Sequence, residues 1–403
     1  MSSPLKILQI IPSISLVYGG PSQMVRGLST ALAEQGAAVT VLTTDSNGDI
    51  DQPPLDVPLN TPLEENGYQV LYFRCSPFRR YKFSLGMLQW LAQNAASYDL
   101  AHIHALFSPV SSAAATIARL RGLPYILRPL GTLDPADLRK KRKLKQIYVS
   151  LLEGSNIAGA AALHFTSPQE AKVSERFGHS THDLIIPLGV SHTVPAASEA
   201  IPTQTESVRD RFGIPSQRPL ILFMSRIDPK KGLDLLLPAL ERLVEQGVDF
   251  HFVLSGANPQ DPHYEQQIQT RVQTSCLAER TTITGFVSGE LKAALLRESD
   301  LFVLPSYYEN FGIAVAEAML AAKPVVISDG VYIWEDIKTS HSGWISACEV
   351  NSLTQALSQA LQSEPERRQR GLNAKNYALE HYSWPAIAHQ TLQAYEQILR
   401  AVQ

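Results

Sequence analysis

Short apolar runs alternate with longer stretches of helical period along almost the whole chain. Runs at 5–11, 39–43, 70–73, 100–103, 125–127, 163–165 and 184–186 are separated by helix candidates at 22–35, 85–96, 110–121 and 169–177. A continuously apolar strand is buried on both faces, and joining two such strands in parallel needs a crossover of a dozen or more residues, usually a helix. The pattern therefore predicts an α/β chain built on parallel sheet. The stretch HTVPAASEAIPTQTESV at 192–208 is rich in Pro, Ser and Thr, has no periodicity and reads as a linker. Beyond it the alternation restarts at 220–223, 250–254, 281–284, 301–304 and 325–327. Because 403 residues exceed what one ordinary core organises, two doubly wound domains are predicted, 1–190 and 191–383, with a ligand cleft between them.

Composition narrows the function classes. Hydrophobic residues at 44% and charged residues at 18% describe a folded chain, and a net charge of -3 argues against a general nucleic-acid binder. Cys75, Cys276 and Cys348 stand singly, so neither a disulfide framework nor a zinc cluster is implied, and a reducing compartment is expected. The N-terminus lacks the pattern of a secretory signal, and no apolar window reaches the length of a membrane span. A cytoplasmic protein with at most peripheral membrane contact is the expectation. The charge divides unevenly: residues 1–190 carry 17 basic and 14 acidic side chains (+3), leaving 18 and 24 (-6) for the rest. The run RKKRKLK at 139–145 supplies six of the first-half cations.

Two segments carry candidate chemistry. In SYYENFGIAVAEAML a strand leads through a loop into a helix, so the unpaired backbone amides around Asn310, Phe311, Gly312 and Ile313 form an anion site suited to a diphosphate. Glu309 and Glu317 flank this turn, roughly 12 Å apart were the whole segment helical, a spacing that would let each hold hydroxyls at one end of a nucleotide sugar. The blander alternative has Glu309 favouring the helix dipole and Glu317 solvated. In MSRIDPKKG, Arg226 ends a strand, and Lys230 and Lys231 follow a Pro-containing turn before Gly232, so cations would meet the same diphosphate; alone, they read equally as surface charge.

Together these motifs resemble glycosyltransferase family 4, with GT-B architecture: two Rossmann-like domains facing a cleft. The E-x7-E element stands as Glu309 to Glu317, the basic element as SRIDPKKG, and a glycine loop after the first strand as YGGPSQMV. The resemblance implies a retaining, metal-independent hexosyltransferase that needs no cofactor beyond its nucleotide-sugar co-substrate, with a UDP-sugar favoured and GDP-mannose the other candidate. It implies that Arg226 and Lys231 neutralise the departing diphosphate, that Glu317 holds the ribose and Glu309 the donor sugar, and that Gly19 and Gly20 bring amides to the phosphates. Phe286 and Val287 would hold the base, with Gly256 lining the donor pocket. His104, in HIHALFSP, matches the family's cleft histidine, and Arg128 shares its placement at a strand end, suited to a phosphate or acceptor oxygen. In relatives the final helix, within 384–403, crosses back to the first domain.

The acceptor is less determined. The segment 136–152 reads as a helix, basic in its first half and apolar in its second, so Arg139, Lys140, Lys141 and Arg142 would dock on an anionic membrane, gather a phosphorylated sugar, or merely face solvent. Accordingly the acceptor is a glycan or glycolipid hydroxyl or, alternatively, fructose 6-phosphate in a sucrose-phosphate-synthase-like reaction. A catalytically silent partner that kept the fold is the remote non-enzyme reading. Asp49 and Asp51 form the Asp-x-Asp of the other glycosyltransferase architecture, but in a polar, proline-rich loop; G-x-G-x-x-G and Walker motifs are absent.

Overall fold

A computed structural model describes residues 4–48, 52–139, 142–191 and 207–402. The chain forms two compact units, Met1–Gly189 with Trp384–Gln403, and Val190–Ser383.

The first unit is built on strands β1 (Lys6–Ile10), β2 (Ala38–Thr44), β3 (Leu63–Glu65), β4 (Tyr68–Phe73), β5 (Leu100–His104), β6 (Tyr125–Arg128), β7 (Ala162–Phe165) and β8 (Asp183–Ile185). Their order is 3-4-2-1-5-6-7-8, parallel except for the β3–β4 pair. Alternate strand residues enter opposite cores, as a period of two requires. Ile7, Val39, Val41 and Ile126 meet Met24, Val25 and Leu28 of helix Gly20–Glu34, while Leu8, Ile10, Ile103 and Leu127 meet Met87, Leu91, Val110 and Ala114. The last helix, Trp384–Val402, buries Ile387, Ala388, Thr391, Ala394, Tyr395 and Ile398, a stripe at helical spacing, in the first of these cores.

The second unit is a parallel sheet of β9 (Leu220–Met224), β10 (His251–Ser255), β11 (Thr281–Gly285), β12 (Leu301–Leu304), β13 (Val325–Ser328) and β14 (Gly343–Ser346), in the order 11-10-9-12-13-14. The strand order reverses between β9 and β12 here, and between β1 and β5 in the first unit. In open α/β sheets, ligands bind beyond the carboxyl ends of the strands at such a reversal.

The basic segment departs from its expected form. Instead of one helix over 136–152 there are separate helices Pro135–Leu138 and Arg142–Tyr148, a five-residue π-helical turn Val149–Glu153, and helix Gly154–Gly159, with Arg139 in an exposed turn. Like charges four residues apart, at 139 and 143 and at 141 and 145, oppose a continuous helix there. Lys140, Lys141, Asp49 and Asp51 lie outside the described residues, as does the side chain of Arg142. Among the described residues no helix is long and apolar enough to cross a membrane.

Candidate functional site

In the second unit the loops after β9, β10 and β12 are stitched together at the reversal point. Asp228 caps the 3-10 turn Pro229–Lys231 by accepting from the Lys230 amide (3.1 Å), and the Lys230 carbonyl accepts from the Tyr307 amide (2.8 Å). This pins the basic turn to the loop after β12. Lys231 is buried, and its ammonium donates to the Glu309 carboxylate. Glu309 is itself fixed by backbone bonds: its amide donates to the Gly330 carbonyl and its carbonyl accepts from Tyr332. The two residues expected to act separately therefore form one ion pair.

Only the second half of the Glu309-to-Glu317 segment is helical. Gly312 caps helix Ile313–Leu320 at φ +80°, a left-handed conformation that glycine adopts freely. The first-turn amides it leads into have no helical acceptor of their own. Phe311 turns its ring inward against Tyr382 (centroids 5.0 Å apart, edge to face), so only its backbone is offered at this turn. Glu317 is not simply solvated: it accepts from Lys292 at 2.6 Å, a lysine on helix Gly289–Glu298 that motif reading did not single out.

Arg226 is exposed, and its guanidinium donates to Gln260 (3.0 Å) in the loop after β10. The Asn258 amide group donates to the Ile227 carbonyl (2.9 Å), drawing the β9 and β10 loops together. That closeness explains Gly256: at φ +152°, a Cβ there would lie 1.9 Å from the Ser225 carbonyl oxygen. Close backbone packing alone therefore requires glycine at this position. Of the pair expected to hold a base, Phe286 is 77% exposed and free to cover a planar ring, whereas Val287 is buried. Lys230 lies 5.3 Å from the Tyr308 ring centroid, and burial lowers its pKa, partly offset by Glu309.

In the first unit Gly19 (φ +69°) precedes Gly20 at the N-terminus of the helix that follows β1. His104 ends β5 and Arg128 ends β6, neighbours in register. Both are buried, which the sequence did not anticipate: residues expected to face a ligand are enclosed by Gln9, Met24 and the last helix. The His104 Nε2 bonds Gln9 Oε1 (2.7 Å), while its Nδ1 is buried with no partner among the described residues. Arg128 touches the Met24 sulfur, and its Nε is likewise unpartnered. Burial lowers its pKa to about 10, which leaves it charged at neutral pH. The Glu170 carboxylate acts on it in the opposite sense to burial. In the basic segment Lys145 is held by Asp137 at 2.7 Å and lies over Phe107, so its charge is already neutralised.

The family model for glycosyl transferases group 1 matches residues 204–377, and that for the glycosyl transferase 4-like domain matches 19–189. The alpha-maltose-1-phosphate synthase of Mycolicibacterium smegmatis is 28% identical over 76% of this chain and 81% of its own length. Among solved structures, sucrose-phosphate synthase from Thermosynechococcus elongatus superposes with a TM-score of 0.74 at 22% identity, covering 98% of this chain and 100% of its own. HepE from Anabaena, in complex with UDP and glucose, gives 0.71 at 18% identity with the same coverage. One family model falls on each doubly wound unit, and the chain belongs to glycosyltransferase family 4, the group 1 glycosyl transferases of GT-B fold.

Proposed function

We propose that the chain moves a hexosyl residue from a UDP-sugar to a carbohydrate hydroxyl with retention of configuration and without a metal. The observation that carries the donor half is the convergence of Arg226, the Lys231–Glu309 pair and the Gly312 helix start at the strand-order reversal of the second unit. A diphosphate gains negative charge as the sugar bond breaks, and fixed cations and backbone amides in a site shielded from water stabilise that charge more than they stabilise the bound ground state. The UDP-bound HepE likeness supports the choice of base. Exposed Phe286 supplies a ring for it, and Glu317 an acceptor for the ribose. Retention follows from same-face attack, in which the departing phosphate oxygen takes the acceptor proton, so no protein nucleophile is required.

The acceptor we favour is a glycan or glycolipid hydroxyl, with the cations of the basic run at 139–145 drawing an anionic membrane or carrier. A phosphorylated sugar is the second reading. It is supported by the buried guanidinium of Arg128 and by two similar proteins whose names specify phosphorylated sugars. The test is a matrix of UDP-, GDP- and ADP-sugars against lipid-linked acceptors and sugar phosphates, read by nucleotide release and product NMR. Turnover only with GDP- or ADP-sugars, or an inverted product, refutes the donor and stereochemical assignments. Absence of even slow donor hydrolysis with every nucleotide sugar would support a silent binding partner.

A further inference from the structure

Five polar side chains beneath the carboxyl ends of β1, β5 and β7 form one hydrogen-bonded chain whose direction is fixed at one end. His164 Nε2 lies 2.8 Å from the Ile186 carbonyl oxygen, which only accepts. A neutral His164 therefore carries its proton on Nε2 and presents a bare Nδ1 to His102 Nε2, 3.1 Å away. His102 must then donate from Nε2, which leaves its Nδ1 to accept from the Tyr395 hydroxyl at 2.8 Å. With its single proton so committed, Tyr395 accepts from the Gln9 amide group (3.2 Å). That turns Gln9 Oε1 toward His104 Nε2 at 2.7 Å, and His104 must donate there. The chain ends at His104 Nδ1, a buried lone pair without a partner among the described residues. All three imidazoles are fully buried beside Arg128, and burial followed by these neighbours holds them neutral well below the usual histidine range.

We propose that Tyr395, on the last helix of the chain, is a positioning residue that sets the tautomer of His104 through Gln9, keeping Nδ1 a hydrogen-bond acceptor. The helix Trp384–Val402 then does more than cover an apolar face: the Tyr395 hydroxyl passes on, through a polar chain spanning three strands, the direction fixed at the Ile186 carbonyl. An acceptor atom at this strand end suits a hydroxyl-bearing ligand and disfavours an anionic oxygen, which has no proton to give. The catalytic consequence rests on the transferase reading proposed above and on the match of His104 to the family's cleft histidine, whereas the tautomer does not.

The experiment is long-range proton–nitrogen NMR of chain labelled with 15N-histidine, with the His104 signals assigned by their loss in His104→Gln. Wild type is expected to show His104 protonated on Nε2. In Tyr395→Phe, His102 Nδ1 and the Gln9 amide lose their partner, Gln9 is free to turn over, and His104 is expected to become a tautomer mixture. Gln9→Leu removes the two bonds of Gln9, to Tyr395 and to His104, and is expected to release His104 while leaving the Tyr395–His102–His164 links unchanged; it serves where Tyr395→Phe does not fold. A wild-type His104 protonated on Nδ1, or one unmoved in both folded variants, overturns the proposal. In the transfer assay Tyr395→Phe is expected to lower kcat about tenfold, the worth of one hydrogen bond in the transition state, at unchanged donor KM. A shifted tautomer with unchanged kcat overturns the positioning role. Wild type inert with every nucleotide sugar defeats the functional reading instead, and the NMR result still decides the chain.

Discussion

Replacing Lys231 by Met, Glu309 by Gln, and both together separates what the ion pair does for the fold from what it does for the reaction. The two side chains are 10% and 21% exposed, so their pair lies between the fully buried and fully exposed cases. Removing one partner costs about 3–5 kcal/mol in the first case and about 0.2–1 kcal/mol in the second, which places each single variant near a loss of about 2 kcal/mol. For a unit of this size that corresponds to a Tm lower by about 4–8 °C. The double variant leaves no uncompensated charge and is expected to lose only about 1 kcal/mol, a coupling of about 3 kcal/mol against the sum of the two single losses. Catalysis is expected to behave differently. A lost cation on the leaving diphosphate costs about 100- to 1,000-fold in kcat/KM, and restoring charge balance by a second substitution does not replace it. Thermal melts and transfer rates on the same four proteins make the comparison, with nucleotide diphosphate titrated into each. Glu309→Gln is expected to abolish transfer yet keep nucleotide diphosphate binding. If the double variant recovers turnover along with Tm, the pair is a structural brace and the reasoning fails; equal loss of nucleotide binding and transfer in Glu309→Gln removes its assignment to the sugar.

Arg226→Gln is expected to leave Tm nearly unchanged, because the side chain is exposed, while lowering donor kcat/KM about 10- to 100-fold through one lost charge-assisted contact; unchanged kinetics would return Arg226 to the surface. Replacing Arg139 through Lys143 by Gln, with Lys145 kept for its pair to Asp137, is expected to spare acceptor-free donor hydrolysis and weaken transfer to anionic acceptors, and unaltered transfer at low salt refutes that role. The neutral buried histidines predict an acid-side instability. Their folded pKa values are depressed, His164 to about 3, so the unfolded chain takes up protons first as the pH falls. The stability is present above about pH 6.5 and lost progressively below it, by about 1.4 kcal/mol per pH unit for each histidine. Denaturant titrations of the first unit at pH 7.5, 6 and 5 read this directly, and a flat response across that window contradicts the neutral chain.

The parallel sheets were legible because their strands are continuous apolar runs, and both charged motifs lie where the alternation puts them, at strand ends. What stayed hidden depends on distant partners or on weak local pattern. The antiparallel strand Leu63–Glu65 is three residues of mostly polar character, and β14 (Gly343–Ser346) is too short for a period to show. Helix Glu364–His381 buries little beyond Arg367, Gly371, Ala374 and Ala378, so it lacks an apolar stripe. Lys231 and Glu309 are 78 positions apart, and Lys292 and Glu317 are 25 apart; nothing local connects them. His102 was the recoverable omission. It stands two residues before His104 in an apolar strand, so both rings face one side, whereas nothing in the last helix marks Tyr395 as their partner.

These pairings change how the spacing of the two glutamates reads. Each holds a lysine from another loop or helix, Glu309 that of the basic turn and Glu317 that of the helix after β11. An ionised carboxylate has two oxygens and about four acceptor positions. Holding one ammonium therefore leaves room for one or two sugar hydroxyls on the same group, and structural and ligand roles need not compete. Glu309 would keep the Lys231 side chain aimed before any diphosphate arrives, so little reorganisation is needed when leaving-group charge develops. An amide in its place retains one acceptor oxygen but presents its own N–H groups, either to the lysine or to the hydroxyls. If Glu309 holds the donor sugar as proposed, a carboxylate is required at 309 because one anion must accept from a cation and a sugar together. Glutamine offers one neutral acceptor oxygen and no charge to set against the lysine, which is why the Glu309→Gln variant is expected to bind the nucleotide and still fail to transfer.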